Sequence, residues 1–195
     1  RIWLNTKTWR YQSIDPWEKI PSKFSWYVFQ SSLDRTLYTI QNNSTLERYD
    51  PLQKIFISIP LNRDMWEMLR APTQIAEDWN GDLWMVHQGL CRYRKSTAQI
   101  DYCELKFPGA FLNLNTVGNI VNDTIHKKLW FSLYQNGLFR YDPETHDYKQ
   151  FTLKEGLPDL VIGQMIIVGR HIWIITPSGL ASISIDDYTI QRYPY

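Results

Sequence analysis

The chain has 195 residues, of which 44% are hydrophobic and 15% aromatic, enough to bury one sizeable core. Lys and Arg total 21 against 20 for Asp and Glu. That near-neutral balance excludes nucleic acid as a partner, because neutralising a phosphate backbone needs a strong excess of positive charge. No run approaches the ~18 apolar residues of a membrane span and no export signal opens the sequence. With Arg1 in place of an initiator Met, the chain reads as a piece of a longer polypeptide, whose signal and membrane segments lie outside it.

An apolar-aromatic pair recurs along the chain: Ile2-Trp3, Leu37-Tyr38, Leu83-Trp84, Leu129-Trp130 and Ile172-Trp173. Tyr38 and Trp84 are 46 positions apart, Trp84 and Trp130 are 46, and Trp130 and Trp173 are 43. A period of this size marks a repeat architecture. The first unit, 1–23, lacks its opening strand. The second, 24–60, begins with the extended run Trp26 to Phe29 and carries Leu46-Glu47-Arg48-Tyr49-Asp50-Pro51. Asn62 to Arg70 is the one candidate helix, a turn or two long. The third unit, 72–107, places Leu90-Cys91-Arg92-Tyr93 two residues early and lacks Asp-Pro.

The fourth unit, 116–152, is the cleanest. Leu129 to Leu133, Leu138 to Tyr141 and Tyr148 to Phe151 are strands, with Asn136-Gly137 and Asp142-Pro143 supplying turn geometry and Tyr141 opposite Tyr148. The fifth unit, 161–193, runs from Gln164-Met165-Ile166-Ile167-Val168 through Ile172-Trp173 and Gly179-Leu180. Each complete unit predicts four short antiparallel strands, apolar on both faces in places such as Met165 to Val168. Sheets stacked face to face around an axis satisfy that pattern. The fold class is all-β: an open arc of about four complete four-stranded blades plus a partial first blade, a fragment of a larger β-propeller. A closed five-bladed ring is the competing arrangement. Cys91 and Cys103 flank a hairpin on opposite faces, so two free thiols are expected rather than a bridge.

Glu155-Gly156-Leu157-Pro158-Asp159, Ile172-Trp173-Ile174, Gly179-Leu180 and Gly137-Leu138-Phe139-Arg140-Tyr141-Asp142-Pro143 resemble the two-component regulator propeller repeat. Asp78-Trp79-Asn80-Gly81-Asp82-Leu83-Trp84 resembles its Asp-x-x-Gly-x-Leu-Trp core, although the usual Gly-Thr after the Trp strand is replaced by Val86-His87 and Ser132-Leu133. The resemblance implies a periplasmic sensor region of a bacterial hybrid two-component regulator. It further implies an oligosaccharide ligand, a homodimer of the full-length sensor, kinase activity and membrane attachment only through segments outside this chain, and no cofactor.

Ligands of propellers meet the rim built from the loops between blades and the turns between second and third strands. Sugar rings are held by aromatic faces, planar amides and guanidinium groups. The candidate set on that rim is Trp66, Arg70, His87, Gln88, Asn113, Tyr134 and Gln135. Trp3, Trp84, Trp130 and Trp173 recur at the repeat period and are assigned to blade core. The four histidines, His87, His126, His146 and His171, show no metal-ligand spacing. Glu77-Asp78 and Asp186-Asp187 are the acidic pairs a propeller glycosidase or lyase would need, but adjacent strand residues point to opposite faces. No catalytic residue is assigned. A recognition module is the leading reading; an enzyme acting on polysaccharide and a purely structural arc are the alternatives.

Overall fold

The computed structural model of the chain describes residues 2–5, 10–13, 25–41, 45–59, 74–86, 90–103 and 118–193. Every regular element among the described residues is a β-strand. Strands β1 (Ile2–Asn5) and β2 (Arg10–Ser13) pair as a two-stranded sheet. Four four-stranded antiparallel meanders follow. The first comprises β3 (Ser25–Gln30), β4 (Leu37–Gln41), β5 (Leu46–Asp50) and β6 (Ile55–Ser58). The second comprises β7 (Ile75–Glu77), β8 (Leu83–Val86), β9 (Leu90–Arg94) and β10 (Gln99–Cys103). The third comprises β11 (Ile120–Asp123), β12 (Lys128–Leu133), β13 (Gly137–Tyr141) and β14 (Tyr148–Phe151). The fourth comprises β15 (Gln164–Val168), β16 (His171–Thr176), β17 (Gly179–Ser184) and β18 (Ile190–Tyr193).

Turn chemistry fixes where each strand stops. Asp50 Oδ1 accepts the backbone N–H groups of Leu52 and Gln53, and Asp142 Oδ1 accepts that of Glu144, so both Asp-Pro pairs nucleate turns. Lys54, Ala98, Lys127, His146 and Tyr188 then take positive φ just before the next strand, the left-handed residue that closes such hairpins. Gly137 has φ +78°, and a Cβ there would fall onto the Phe151 carbonyl oxygen. Only glycine fits at that position.

The sheets pack face to face because each strand alternates two apolar sides. Tyr38, Ile40 and Leu46 of the first sheet meet Leu83, Met85 and Cys91 of the second. Trp84 and Leu90, on the second sheet's other face, meet Leu129, Phe131 and Phe139 of the third. Trp130, Leu138 and Phe151 meet Ile172, Ile174 and Ile183 of the fourth. Trp84 sets its ring edge on Tyr141 at 5.9 Å and Trp130 stacks on Phe151 at 5.3 Å. Each fully buried Phe or Leu in these layers contributes about 1.5–3 kcal/mol of transfer free energy. Strand β11 lies beside both β7 and β15, so the first strands of successive sheets form the hub. The result is a run of propeller blades.

The fourth sheet keeps one face open. Ile166, Val168 and Ile175 are 51%, 55% and 48% exposed, while Trp173 is half-buried and stacks on Tyr193 at 5.4 Å. These side chains and Leu180 line an apolar hollow of about 490 Å³. Trp173 therefore departs from Trp84 and Trp130, which are 1% and 0% exposed.

Cys91 is buried and forms no disulfide. The ladder pairs Cys91 with Tyr102 and Cys103 with Leu90, so the two cysteines stand at alternate register positions, as expected. Tyr141 pairs with Tyr148, also as expected. The helix expected over Asn62 to Arg70 lies outside the described residues.

Candidate functional site

The meander gives each blade two ends. One rim carries the turns between first and second strands and between third and fourth. The other carries the turns between second and third strands and the links from blade to blade.

On the first rim, polar side chains clamp neighbouring blades. Glu77, at the end of β7, accepts the Ser31 hydroxyl at 2.5 Å, the Ser32 N–H at 2.7 Å and the Ser32 hydroxyl at 2.8 Å. Lys95 donates to Glu77 at 2.8 Å and to Asp34 at 2.9 Å, and its ammonium lies 5.0 Å from the Tyr38 ring centroid. Burial alone would raise the Glu77 pKa, but the hydrogen bonds from Lys95, Ser31 and Ser32 outweigh it and hold the carboxyl below its ordinary value. Asp34 is likewise held low, its hydrogen bonds from Lys95 and Thr36 overriding burial. Lys95 is raised, because the two carboxylates outweigh the cost of burying its charge.

The adjacent Asp78 closes its own turn by accepting the N–H groups of Asn80 and Asp82, and takes the Trp84 indole N–H at 2.8 Å. Asp123 plays the turn role in the third sheet, accepting from Ile125 and His126. His126 sits between Asp123 and Asp186, at 2.9 Å and 3.2 Å, and Arg170 grips Asp186 through two nitrogens. Asp187 accepts the Thr189 N–H. Both acidic pairs singled out in the sequence are thus engaged in turns and blade contacts. Among the described residues no group of His, Cys, Asp and Glu has the arrangement of a metal site.

The second rim is the one on which ligand residues are expected. Trp66, Arg70, His87, Gln88 and Asn113 lie outside the described residues. Tyr134 and Gln135 occupy the β12–β13 turn. Tyr134 is 46% exposed, and Gln135 is exposed at φ 58°. The turn is rigid beneath them: Asn136 donates its side-chain amide to the Tyr134 carbonyl at 2.9 Å, and its own carbonyl accepts the Gln150 amide at 2.8 Å.

The link from β14 to β15 is pinned to both neighbouring turns. Gly137 N–H donates to the Leu160 carbonyl at 3.0 Å, and the Ser178 hydroxyl donates to Asp159 at 2.9 Å. Within it, the Glu155-Gly156-Leu157-Pro158-Asp159 stretch is structural. Glu155 caps Thr152, Leu157 is fully buried, and Arg192 holds the Gly156 and Leu157 carbonyls at 2.7 Å and 3.1 Å. Hydrogen bonds from the Val161 N–H and the Ser178 hydroxyl keep the Asp159 carboxyl below its ordinary range. Asn119, marked by no motif in the sequence, sends its amide to the Ile162 and Gly163 carbonyls at 3.3 Å and 3.4 Å. The described part of this rim presents an exposed aromatic ring and amides on a fixed frame, the chemistry that suits a polyhydroxylated ligand.

No known family profile and no curated protein sequence matches the chain. Solved structures do match. One is the extracellular domain of a protein described as the hybrid two component system BT4673 from B. thetaiotaomicron, with TM-score 0.70 and 19% identity over 87% of this chain and 25% of that one. Another is the extracellular domain of BT3049 from the same organism, described in the same terms, with TM-score 0.66 and 14% identity over 94% and 26%. The WD40 repeats of RRP9 match with TM-score 0.67 and 10% identity over 90% and 52%. WD40 repeats build propellers, so the likeness confirms the propeller fold of this arc. The chain spans about a quarter of the length of the two extracellular domains it matches.

Proposed function

We propose that the chain is a recognition segment within the extracytoplasmic, periplasmic sensor region of a hybrid two-component signalling protein. On this reading it binds an oligosaccharide at the rim that carries Tyr134 and Gln135 and contributes to a homodimer of the full-length sensor. The observation that supports it most is the fold match to two extracellular domains of hybrid two component systems, joined to repeat motifs of the same kind. The binding partner is read from the rim itself, where the Tyr134 ring and the Gln135 amide stand exposed on a pinned turn. Signalling then requires that the ligand bind two arrangements of the dimer with different affinity.

Calorimetry of the ectodomain that contains this chain, titrated with oligosaccharides, tests the reading. Tyr134→Ala is expected to weaken binding by up to about tenfold, the worth of one aromatic contact. Unchanged affinity after alanine replacement of Tyr134 together with Trp66, Arg70, His87, Gln88 and Asn113 would overturn it.

A further inference from the structure

The four sheets repeat one ladder position across their second, third and fourth strands. It is Tyr38, Arg48 and Ile57 in the first sheet, and Trp84, Arg92 and Asp101 in the second. It is Trp130, Arg140 and Lys149 in the third, and Trp173, Ser182 and Gln191 in the fourth. Comparing the second and third sheets at this position exposes a difference in charge.

In the second sheet an aromatic, a cation and acids are matched. The Trp84 indole N–H donates to Asp78, and the Arg92 guanidinium lies 5.3 Å from the Trp84 ring centroid. Arg92 reaches Asp82 at 2.8 Å and Asp78 at 3.7 Å. Two carboxylates therefore satisfy one guanidinium and one indole, while a third, Asp101, stands opposite in the ladder and is bonded to Arg94.

In the third sheet the donors are present without acceptors. Asp123, which closes the turn as Asp78 does, directs its second oxygen to His126 instead. The Trp130 indole nitrogen is buried and has no partner among the described residues. Arg140 faces Lys149 directly across the ladder, a like-charge pair that destabilises a sheet. Neither cation pairs with a carboxylate among the described residues. Both lean on the Tyr188 ring of the fourth sheet, Lys149 at 4.3 Å and Arg140 at 5.6 Å from its centroid. Tyr188 itself is held at φ 65° and packs on Trp130 and Phe151.

We propose that Arg140 and Lys149, at the seam between the third and fourth sheets, form a binding site for an oxyanion group, a carboxylate or sulfate carried by a small ligand. The anion takes the charge role that Asp78 and Asp82 fill in the second sheet. It removes the repulsion between the two cations and accepts charge-assisted hydrogen bonds from them. The Tyr188 ring, over which both cations lie, holds them together at the seam. The site is separate from the rim turns and does not depend on the saccharide reading.

The test follows the unfolding midpoint of the chain at constant ionic strength while chloride is exchanged for sulfate, acetate or glucuronate, with glucose as the uncharged control. A saturable rise is expected with at least one of the three anions and not with glucose, and which anion acts identifies the preferred group. Sulfate also stabilises proteins by exclusion from their surface. The Arg140→Gln, Lys149→Gln double variant separates the two effects, because it keeps the exclusion effect and loses the saturable rise. Lys149→Asp places an acid where the second sheet has Asp101; it should raise the midpoint in chloride and abolish the response to anions. An anion response in the wild type no larger than in the double variant, or a Lys149→Asp variant less stable than the wild type, would overturn the proposal.

Discussion

Ser31 and Glu77 stand 46 residues apart and are joined by a 2.5 Å hydrogen bond, the same separation that divides Tyr38 from Trp84. The bond thus links equivalent ends of two successive blades. Glu77 also takes the Lys95 ammonium and two donors from Ser32, so one carboxylate ties three segments together. Glu77→Gln keeps the shape but removes the charge that Lys95 pairs with, and should lower unfolding free energy by about 1–3 kcal/mol. Urea denaturation measures this, with Glu144→Gln on an exposed turn as a control expected to change little.

The same cluster sets a pH dependence. Glu77 and Asp34 in it, and Asp142 of the third sheet, whose carboxylate accepts from the Lys128 ammonium, have folded pKa values below that of an unfolded chain, about 4. Their contribution to stability is complete above that value and declines as pH falls through the folded values. Lys95 is raised, so its contribution is complete below about 10.4 and is lost as pH climbs through its folded value. The midpoint of thermal unfolding should therefore form a plateau across neutral pH and drop at both ends. In Glu77→Gln the acid arm should be shallower.

Trp84 and Trp130 offer a matched comparison, since both are buried at the same ladder position but only Trp84 donates its indole N–H, to Asp78. Replacing each with Phe removes the same volume. Trp84→Phe should cost about 1.5–3 kcal/mol more than Trp130→Phe, the worth of a hydrogen bond to a charged group. Equal losses in paired denaturation curves would show that the Asp78 bond contributes nothing net.

Ile174 and Ile175 are chain neighbours on opposite faces of the fourth sheet, fully buried and 48% exposed respectively. Ile174→Ala should destabilise by about 2–5 kcal/mol through transfer and cavity terms. Ile175→Ala should change stability by under about 1 kcal/mol, because little apolar area returns to water. A large loss at Ile175 measured in the same way would mean that the outer face is covered in solution.

Much of this fold is legible in the sequence because strand alternation and turn chemistry are local. Leu129-Trp130, Asn136-Gly137 and Asp142-Pro143 specify a strand and the two turns that follow it within fifteen residues, and the observed ladder pairs Tyr141 with Tyr148 as that pattern requires. The clamps leave no such local mark. Asn122 donates its amide to the Glu77 carbonyl 45 residues away, and nothing near either residue marks it as a partner. Only the repeat period brings such pairs into view. The candidate ligand set is legible as chemistry alone: aromatic, amide and guanidinium side chains fall in loop positions, and of that set Tyr134 and Gln135 are the described members. The oxyanion seam was invisible, because Arg140 and Lys149 look like ordinary strand cations until the ladder sets them face to face.

Hydrogen bonds from one blade to the next span nearly constant distances along the chain: 45 from Ser32 to Glu77, 46 from Gln74 to Ile120, and 43 and 44 from Asn119 to Ile162 and Gly163. Such wiring tolerates tandem duplication. The bonding groups differ from joint to joint, a carboxylate for Ser32, a side-chain amide oxygen for Ile120 and backbone carbonyls for Asn119, but copying or excising a stretch one period long keeps their positions in register, whereas a frame of any other length does not. A lineage built this way can lengthen or shorten its arc by whole units while each joint between units keeps its spacing.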